Sequence, residues 1–487
     1  MYLKQTRRNG RTYLSVVRNY RQDGRVCSKT VESIGYADEF ADRFADPIAH
    51  FKEYVADLNA RQDDAEIRLS LGRDSLISPD GAGSVQLGGA IALGYLDRFG
   101  VGRFFSSATG RSACGRAFEL LATARMLHAV PVHETWNGRV KFPRRCEFSY
   151  ADLYRSFEAV ASLDRGFVAH LNKRYSQIKG GRNLTGVRLV FSNYEFAWAE
   201  GQVAGGPDEL GSRANARLCL MIDGGGIPLS YRIVPRDMSV SQILGIVAAL
   251  KDEAGVDRVT LVAAQLPDVD GVAKALVEQG DGFVLLQPAE SLARESALWA
   301  DDPQGYRMTR NGAFRIKSRQ SRKSLGAMRG AHSIELKEIA FSSTASAHPQ
   351  ALCIVTNETG NSDAAVFNIY RELWRVHEPF QVIAADFISV PHEVRADIHL
   401  RAHFLICYTA FFALRVLRED MGWRFNAAQV ADALLAMEGA HVAENWFVFN
   451  YRTAVTDAIQ RAAGIEVGRR LLSRDDIRRI PKRVSGC

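Results

Sequence analysis

The chain has 487 residues, 47% apolar and 24% charged, a composition that excludes a disordered or low-complexity protein and leaves room for two to four domains. Lys and Arg number 62 against 55 acids, so the net charge of +7 is modest in bulk and its placement carries the information. The seven cysteines are odd in number and never two residues apart, which argues against a zinc site or disulfide framework and for reduced thiols in a cytoplasm. Residues 1–8 contain no apolar signal core, and the best apolar run, Phe404–Leu414, is too short to span a bilayer, so no membrane partner is expected.

In chain order, the first 30 residues carry Lys4, Arg7, Arg8, Arg11, Arg18, Arg21, Arg25 and Lys29 against the single acid Asp23. Two stretches of period 2, Arg11–Tyr20 and Arg25–Ile34, flank Asp23 and Gly24, a pair that supplies the positive φ of a tight turn. This predicts a basic β-hairpin over residues 1–40 as a candidate DNA-binding element. Apolar residues at helical spacing start at Asp46 and, past a Gly/Ser-rich linker at 81–84, continue from Gln86 to Ser176, predicting a helical N-terminal domain over 41–180. Short apolar strands follow at 187–191, 217–222 and 229–234, then a helix at 240–252 and a buried strand at 258–263. Three strands, a helix and a fourth strand is the order of an RNase H-like core. The predicted class is therefore α/β, with the core split into 181–281 and 357–420 by a β-rich insertion at 282–356. That insertion holds a second basic run, Arg315, Lys317, Arg319, Arg322, Lys323 and Arg329, free of acids. Residues 421–487 read as a helical tail with a basic end, Arg474–Arg483.

Tyr370, Trp374, Val376 and Phe380 have the spacing of a known active-site helix. The chain resembles DDE transposases of the insertion-sequence-four superfamily. In these the last catalytic carboxylate follows the pattern Tyr, three residues, Trp, any residue, Ile or Val, Glu, with Phe three and Lys seven residues on. The stretches Tyr2–Tyr20, Ser33–Tyr36, Asp46–Lys52, Asp152–Arg155, Gly226–Leu229, Ile354–Asn357 and Leu400–Cys407 resemble the 1634-type branch, in order along nearly the whole chain.

The resemblance implies two hard divalent ions held by two Asp and one Glu, activating a water or 3′-hydroxyl. Here the matching positions are Val190, Ala264 and His377, and the family's Lys is Ala384. Val and Ala cannot ligate a cation, and imidazole is a soft partner for magnesium. Further basic positions of the family are Val390 and His399, and Pro379 disturbs the helix itself. The expectation is a degenerate triad with no catalytic residue, no metal ligand and no cofactor. Substitute carboxylates at Glu195, Asp268, Asp270 or Glu378 each require a bulge or kink. A site of His377 with His392, His399 or His403 competes with buried or capping histidines, the blander role.

Three functions remain open. The first is a domesticated, inactive transposase that keeps DNA binding as a regulator or architectural protein, with double-stranded DNA and a second copy of itself, a homodimer, as partners, in the cytoplasm at the nucleoid. The second is an active transposase with rearranged ligands and magnesium or manganese. The third is a protein-interaction scaffold without DNA binding.

Overall fold

The computed structural model describes residues 1–8, 10–22, 25–44, 46–63, 83–197, 213–287, 292–310, 312–324, 333–345, 351–377, 380, 396–443, 445–466 and 468–486. The chain divides into two compact units, Met1–Ser75 and Leu76–Cys487.

The first unit is a three-stranded antiparallel sheet of β1 (Tyr2–Arg8), β2 (Arg11–Gln22) and β3 (Arg25–Tyr36), in that order, followed by a 3-10 turn and α1 (Pro47–Asp63). The hairpin expected from the sequence thus has an additional strand. Gly10, at φ +78°, makes the β1–β2 turn that sequence reading passed over, because the alternation from Tyr2 to Arg8 is broken by polar residues. Leu14 and Val16 are fully buried, and Phe40, Phe44, Phe51 and Tyr54 form a chain of edge-on ring contacts. The Asp46 carboxylate accepts from Ile48 N and Ala49 N and so caps α1. β1 pairs only with Arg11–Val17 of β2, so Arg18–Gln22 and Arg25–Lys29 continue beyond it as a two-stranded limb.

The second unit opens with β4 (Ser84–Gln86) and the helices α2 (Leu87–Arg98), α3 (Val101–Thr109), α4 (Ser112–Leu127), α5 (Val132–Asn137), α6 (Tyr150–Ser162) and α7 (Asp164–Lys179). Next come β5 (Arg188–Ala197), β6 (Arg213–Ile222), β7 (Pro228–Pro235), α8 (Val240–Ala254), β8 (Thr260–Ala263), α9 (Val269–Glu278) and β9 (Gly282–Gln287). These are followed by α10 (Arg294–Asp301), β10 (Arg307–Met308), β11 (Phe314–Ser324), β12 (Ser333–Ser343) and β13 (Leu352–Thr356). The last third holds α11 (Asp363–Tyr370), α12 (Glu372–His377), α13 (Ala396–Asp420), α14 (Ala427–Ala436), β14 (Glu438–Ala443), β15 (Trp446–Phe449), α15 (Ala454–Ala463), β16 (Leu471–Ser473) and α16 (Arg474–Ser485).

A mixed nine-stranded sheet runs β10-β11-β12-β13-β9-β8-β5-β6-β7. β5, β6 and β7 are antiparallel neighbours, whereas β8 lies parallel to β5 and β9 parallel to β8. Alternation along β5 separates two apolar layers. Leu189 and Phe191 join Ile243, Val247 and Leu250 of α8 and Val272 and Leu276 of α9, while Val190 and Tyr194 join the helical core built by α2, α4, α6 and α13. Residues 282–285, read from the sequence as the start of an insertion, form a fully buried strand of the main sheet, as a parallel strand covered on both faces requires. What intervenes, α10 with β10, β11 and β12, extends the same sheet through β13.

Residues 421–487 are likewise less helical than expected. β14, β15 and β16 join β4 in a four-stranded sheet, built from strands too short to display a period in the sequence. Among the described residues, Ile398–Asp420 is the one helix long and apolar enough to cross a bilayer, and 89% of its apolar stretch is buried inside the unit, as suits a core helix. The six described cysteines are free thiols.

α16 lies directly on α2 at Gly94, where an added Cβ would sit 2.5 Å from the Val484 Cβ. Gly94→Ala is expected to cost about 1–3 kcal/mol through overpacking, read as a lowered melting temperature. Combining it with Val484→Gly, which removes the overlapping Cβ, should cost less than the sum of the two single changes, and a pair of additive losses would refute the contact.

Candidate functional site

Val190 lies in the middle of β5, opposite Leu220 of β6 and Val262 of β8, with no exposed surface. Ala264 follows the last residue of β8 and packs, half-buried, against the same core. α12 rests on β5 and β8, and the Tyr194 hydroxyl donates to the Val376 carbonyl at 3.4 Å. β5, the end of β8 and the end of α12 therefore meet on one face of the sheet. His377 is the last residue of α12; its side chain, like Ala384, Val390 and His392, lies outside the described residues. The helix expected across 370–380 is two segments, yet the backbone ladder is nearly continuous, with Arg371 N bonded to Phe367 O (3.0 Å) and Arg375 N to Arg371 O (3.2 Å). It ends two residues before Pro379, whose ring disfavours helix at the residue preceding it.

Val262 pairs with Val190 on this face, and Tyr194, Val376, Phe380 and Phe404, all buried, belong to the same apolar core. Of the alternative carboxylates, Asp268 accepts from Gly271 N at 2.8 Å and caps α9, and Asp270 is exposed in the first turn of that helix. The backbone of Glu195 pairs with Asn215, and its side chain and Glu378 lie outside the described residues. His399 and His403 are buried in α13, against Phe157 and beside Cys407 respectively. Among the described residues no group of three or more His, Cys, Asp or Glu is arranged to hold a metal ion.

Two buried charged groups escaped the sequence reading, Glu372 on α12 and Arg217 on the opposite face of the sheet, in register with Cys219 and Met221. Glu372, 3% exposed, accepts from Arg415 Nη2 at 2.7 Å and from Arg375 Nη1 at 2.6 Å. Burial raises its pKa, but Arg415, Arg375 and Arg188 outweigh that and lower it to about 2. The only sequence signal was an acid followed by Arg three residues on. Arg217, 2% exposed, donates from Nε to Asn193 Oδ1 and from Nη2 to Gln265 O, both at 2.8 Å, fixing a guanidinium one residue from Ala264. Asn193 closes the triangle by donating to Gln265 Oε1 at 2.8 Å.

The two basic runs differ in availability. Lys4, Arg7, Arg18 and Lys29 are exposed and make no ion pair among the described residues. Arg18 and Lys29 are directly opposite each other on the limb, a like-charge pair that is unfavourable without a counter-ion. Arg21 and Arg25 occupy the same limb and Arg8 ends β1; their side chains lie outside the described residues. Arg11 is committed. It pairs with Asp38 at 2.6 Å and Glu39 at 3.1 Å, lies over the Tyr36 ring, and its hydrogen bond holds the Asp38 carboxyl below the usual range.

Most of the second run is also committed. Lys317 is buried, donates to Asp302 O at 2.5 Å and lies near the Trp299 and Tyr306 rings; burial lowers its pKa. Arg319 binds Glu338, Glu295 and Ser296, Arg315 donates to Ser342 Oγ, and Arg322 pairs with Glu335 at 2.8 Å. Lys323 has its backbone in β11 and its side chain outside the described residues, as does Arg329 entirely. The expected acid-free basic surface fails here because the acids come from β12 and α10 rather than from the run itself.

Residues 3–68 match the family model described as IS1634 family transposase, N-terminal domain, a match that falls within the first unit. That segment is similar to the N-terminal domain of IS1634-type transposases. No curated protein matches the chain.

Val190→Asp is expected to cost about 3–5 kcal/mol, since an unpaired carboxylate enters a fully buried apolar setting. Millimolar magnesium should leave that loss unchanged in a thermal melt; recovery by magnesium would reveal a working cation site. Burial lowers the pKa of His399 to about 3. An unfolded histidine titrates near 6.5, so the unfolded chain binds the extra proton between these values, and stability falls by about 1.4 kcal/mol per unit as pH drops through that window. His399→Leu should flatten the dependence of melting temperature on pH between about pH 6 and 4, and an unchanged slope would count against a neutral buried imidazole.

Proposed function

We propose that this chain is a transposase-derived protein that binds duplex DNA without cutting it, acting as a regulator or architectural factor. Support for an RNase H-like core comes from the order of three antiparallel strands β5, β6 and β7, then helix α8, then β8 parallel to β5. The observation that carries the loss of catalysis is Val190, fully buried between Leu220 and Val262 beneath α12, where the family requires a metal-binding Asp.

For binding, the limb Arg18–Gln22 with Arg25–Lys29 is the favoured element. A two-stranded ribbon fits the major groove, and its cations meet phosphates on either side. The commitment of Arg11 and of β11 to internal partners narrows the interface to this limb with Lys4 and Arg7.

The test is duplex binding by the purified chain, followed by fluorescence anisotropy across a salt series, beside a nicking assay with magnesium and manganese. The quadruple change Arg18→Gln, Arg21→Gln, Arg25→Gln and Lys29→Gln should reduce the slope of log affinity against log salt by up to about 3.6, or 0.9 per phosphate contact. Metal-dependent cleavage by the wild-type chain would overturn the inactive reading, and an unaltered slope would remove the limb from the interface.

A further inference from the structure

A third concentration of charge lies elsewhere, at the end of the second unit. Between Arg469 and Arg483 there are seven cations and two acids, on a chain whose whole net charge is +7. α16 sorts them by face. Ile477, Ile480, Pro481 and Val484 are buried, while Arg478, Arg479, Lys482 and Arg483 are exposed. Spacings of three and four residues put these four on one stripe in two rows, with about 6 Å between successive charges in a row.

Few carboxylates answer this stripe. Asp476 is consumed in the capping box with Ser473, and Asp475 reaches Arg478 only at 3.9 Å. Arg474, over the Phe447 ring, has its pKa lowered by burial and by the charges of Arg478 and Arg145, which places Arg145 beside the stripe as well. Exposed Arg470 precedes it on the approach to β16. A role in complementing the helix dipole would account for Lys482 and Arg483 in the last turn, but not for Arg474 at the first position or Arg478 and Arg479 in the middle. Like charges at these spacings destabilise an isolated helix. The stripe is nevertheless held rigid, because the opposite side of α16 is pressed onto α2 at Gly94.

We infer that the outer face of α16, with Arg145, Arg470 and Arg474 at its margin, is a second contact surface for the phosphate backbone of duplex DNA. This rests on the reading of the chain as a DNA-binding protein. It adds that binding involves both units, each with its own cationic surface, and that the second surface contributes affinity without reading sequence. A rigid helix face with single-point cations and no aromatic side chain among its exposed residues suits a regular duplex backbone better than single strands, whose bases call for stacking platforms.

The experiment uses the full chain and a short duplex in a salt series, comparing wild type, the limb variant above, and a helix variant carrying Arg478→Gln, Arg479→Gln, Lys482→Gln and Arg483→Gln. A charge-conserving control carries Arg478→Lys, Arg479→Lys and Arg483→Lys. The helix variant should melt like wild type, bind at least about tenfold more weakly at physiological salt and lose about 3 units of salt slope, with the lysine control close to wild type. Wild-type binding that is unchanged in the helix variant would overturn this surface and leave the limb reading standing. Absence of any duplex binding by wild type would overturn both. Retention of wild-type chain by anionic lipid vesicles but not by duplex would assign the stripe to another polyanion and overturn the proposal. If the helix variant melts early, the lysine control decides: near-native affinity supports the surface, and a loss equal to that of the glutamine variant refutes it.

Discussion

The ion pair of Glu372 with Arg415 governs where α12 lies, and the character of the sheet face beneath it follows from that placement. Two charges with about 5% of each side chain exposed are costly to desolvate, and they persist because the geometry is close and Arg375 supplies a further donor. Glu372 opens α12 and Arg415 belongs to the core helix α13, so the pair fastens a six-residue helix to a long, largely buried one. Tyr194 completes the fixation at the other end of the helix through the Val376 carbonyl. A helix anchored at both ends keeps its orientation over β5 whatever residue occupies its last position.

The anchoring of α12 and the packing beneath it are therefore independent of any cation ligand at the end of the helix. Val190 and Val262 pack as ordinary sheet residues, and the hydrophobic gain of that packing is independent of any cation. A cluster of carboxylates in the same place would repel in the absence of metal.

The main strands were legible in the sequence because β5, β6, β7 and β8 are buried runs bounded by turn residues, and α8 begins with Ser239 and Gln242, a capping box. β1 was hidden by its polar residues, and β14 to β16 by their shortness. Charge was the poorest guide. Arg11, Lys317 and Arg319 look alike in the sequence to Arg18 and Lys29, yet the first three are neutralised by Asp38, by backbone carbonyls and by Glu338, at sequence separations from 15 to 27 residues. A run of cations specifies a potential partner only after the fold has shown which carboxylates lie opposite. The family match, confined to residues 3–68, covers the one segment whose strand pattern and basic residues were both readable in advance.

The pairing of β4 with β14 joins residues 84–86 to 438–440, and α2 immediately after β4 is buried along Leu87–Leu96, against α14 at Gly88 and α16 at Gly94. Part of what covers α2 thus comes from residues between Leu434 and Val484, far along the chain. At about 5–20 residues per second, some tens of seconds pass between the synthesis of α2 and that of its final partners. Throughout that interval the apolar stretch Leu87–Leu96 lacks the cover that α14 and α16 give it. The cover of α2 is therefore completed only once the chain has been made as far as α16.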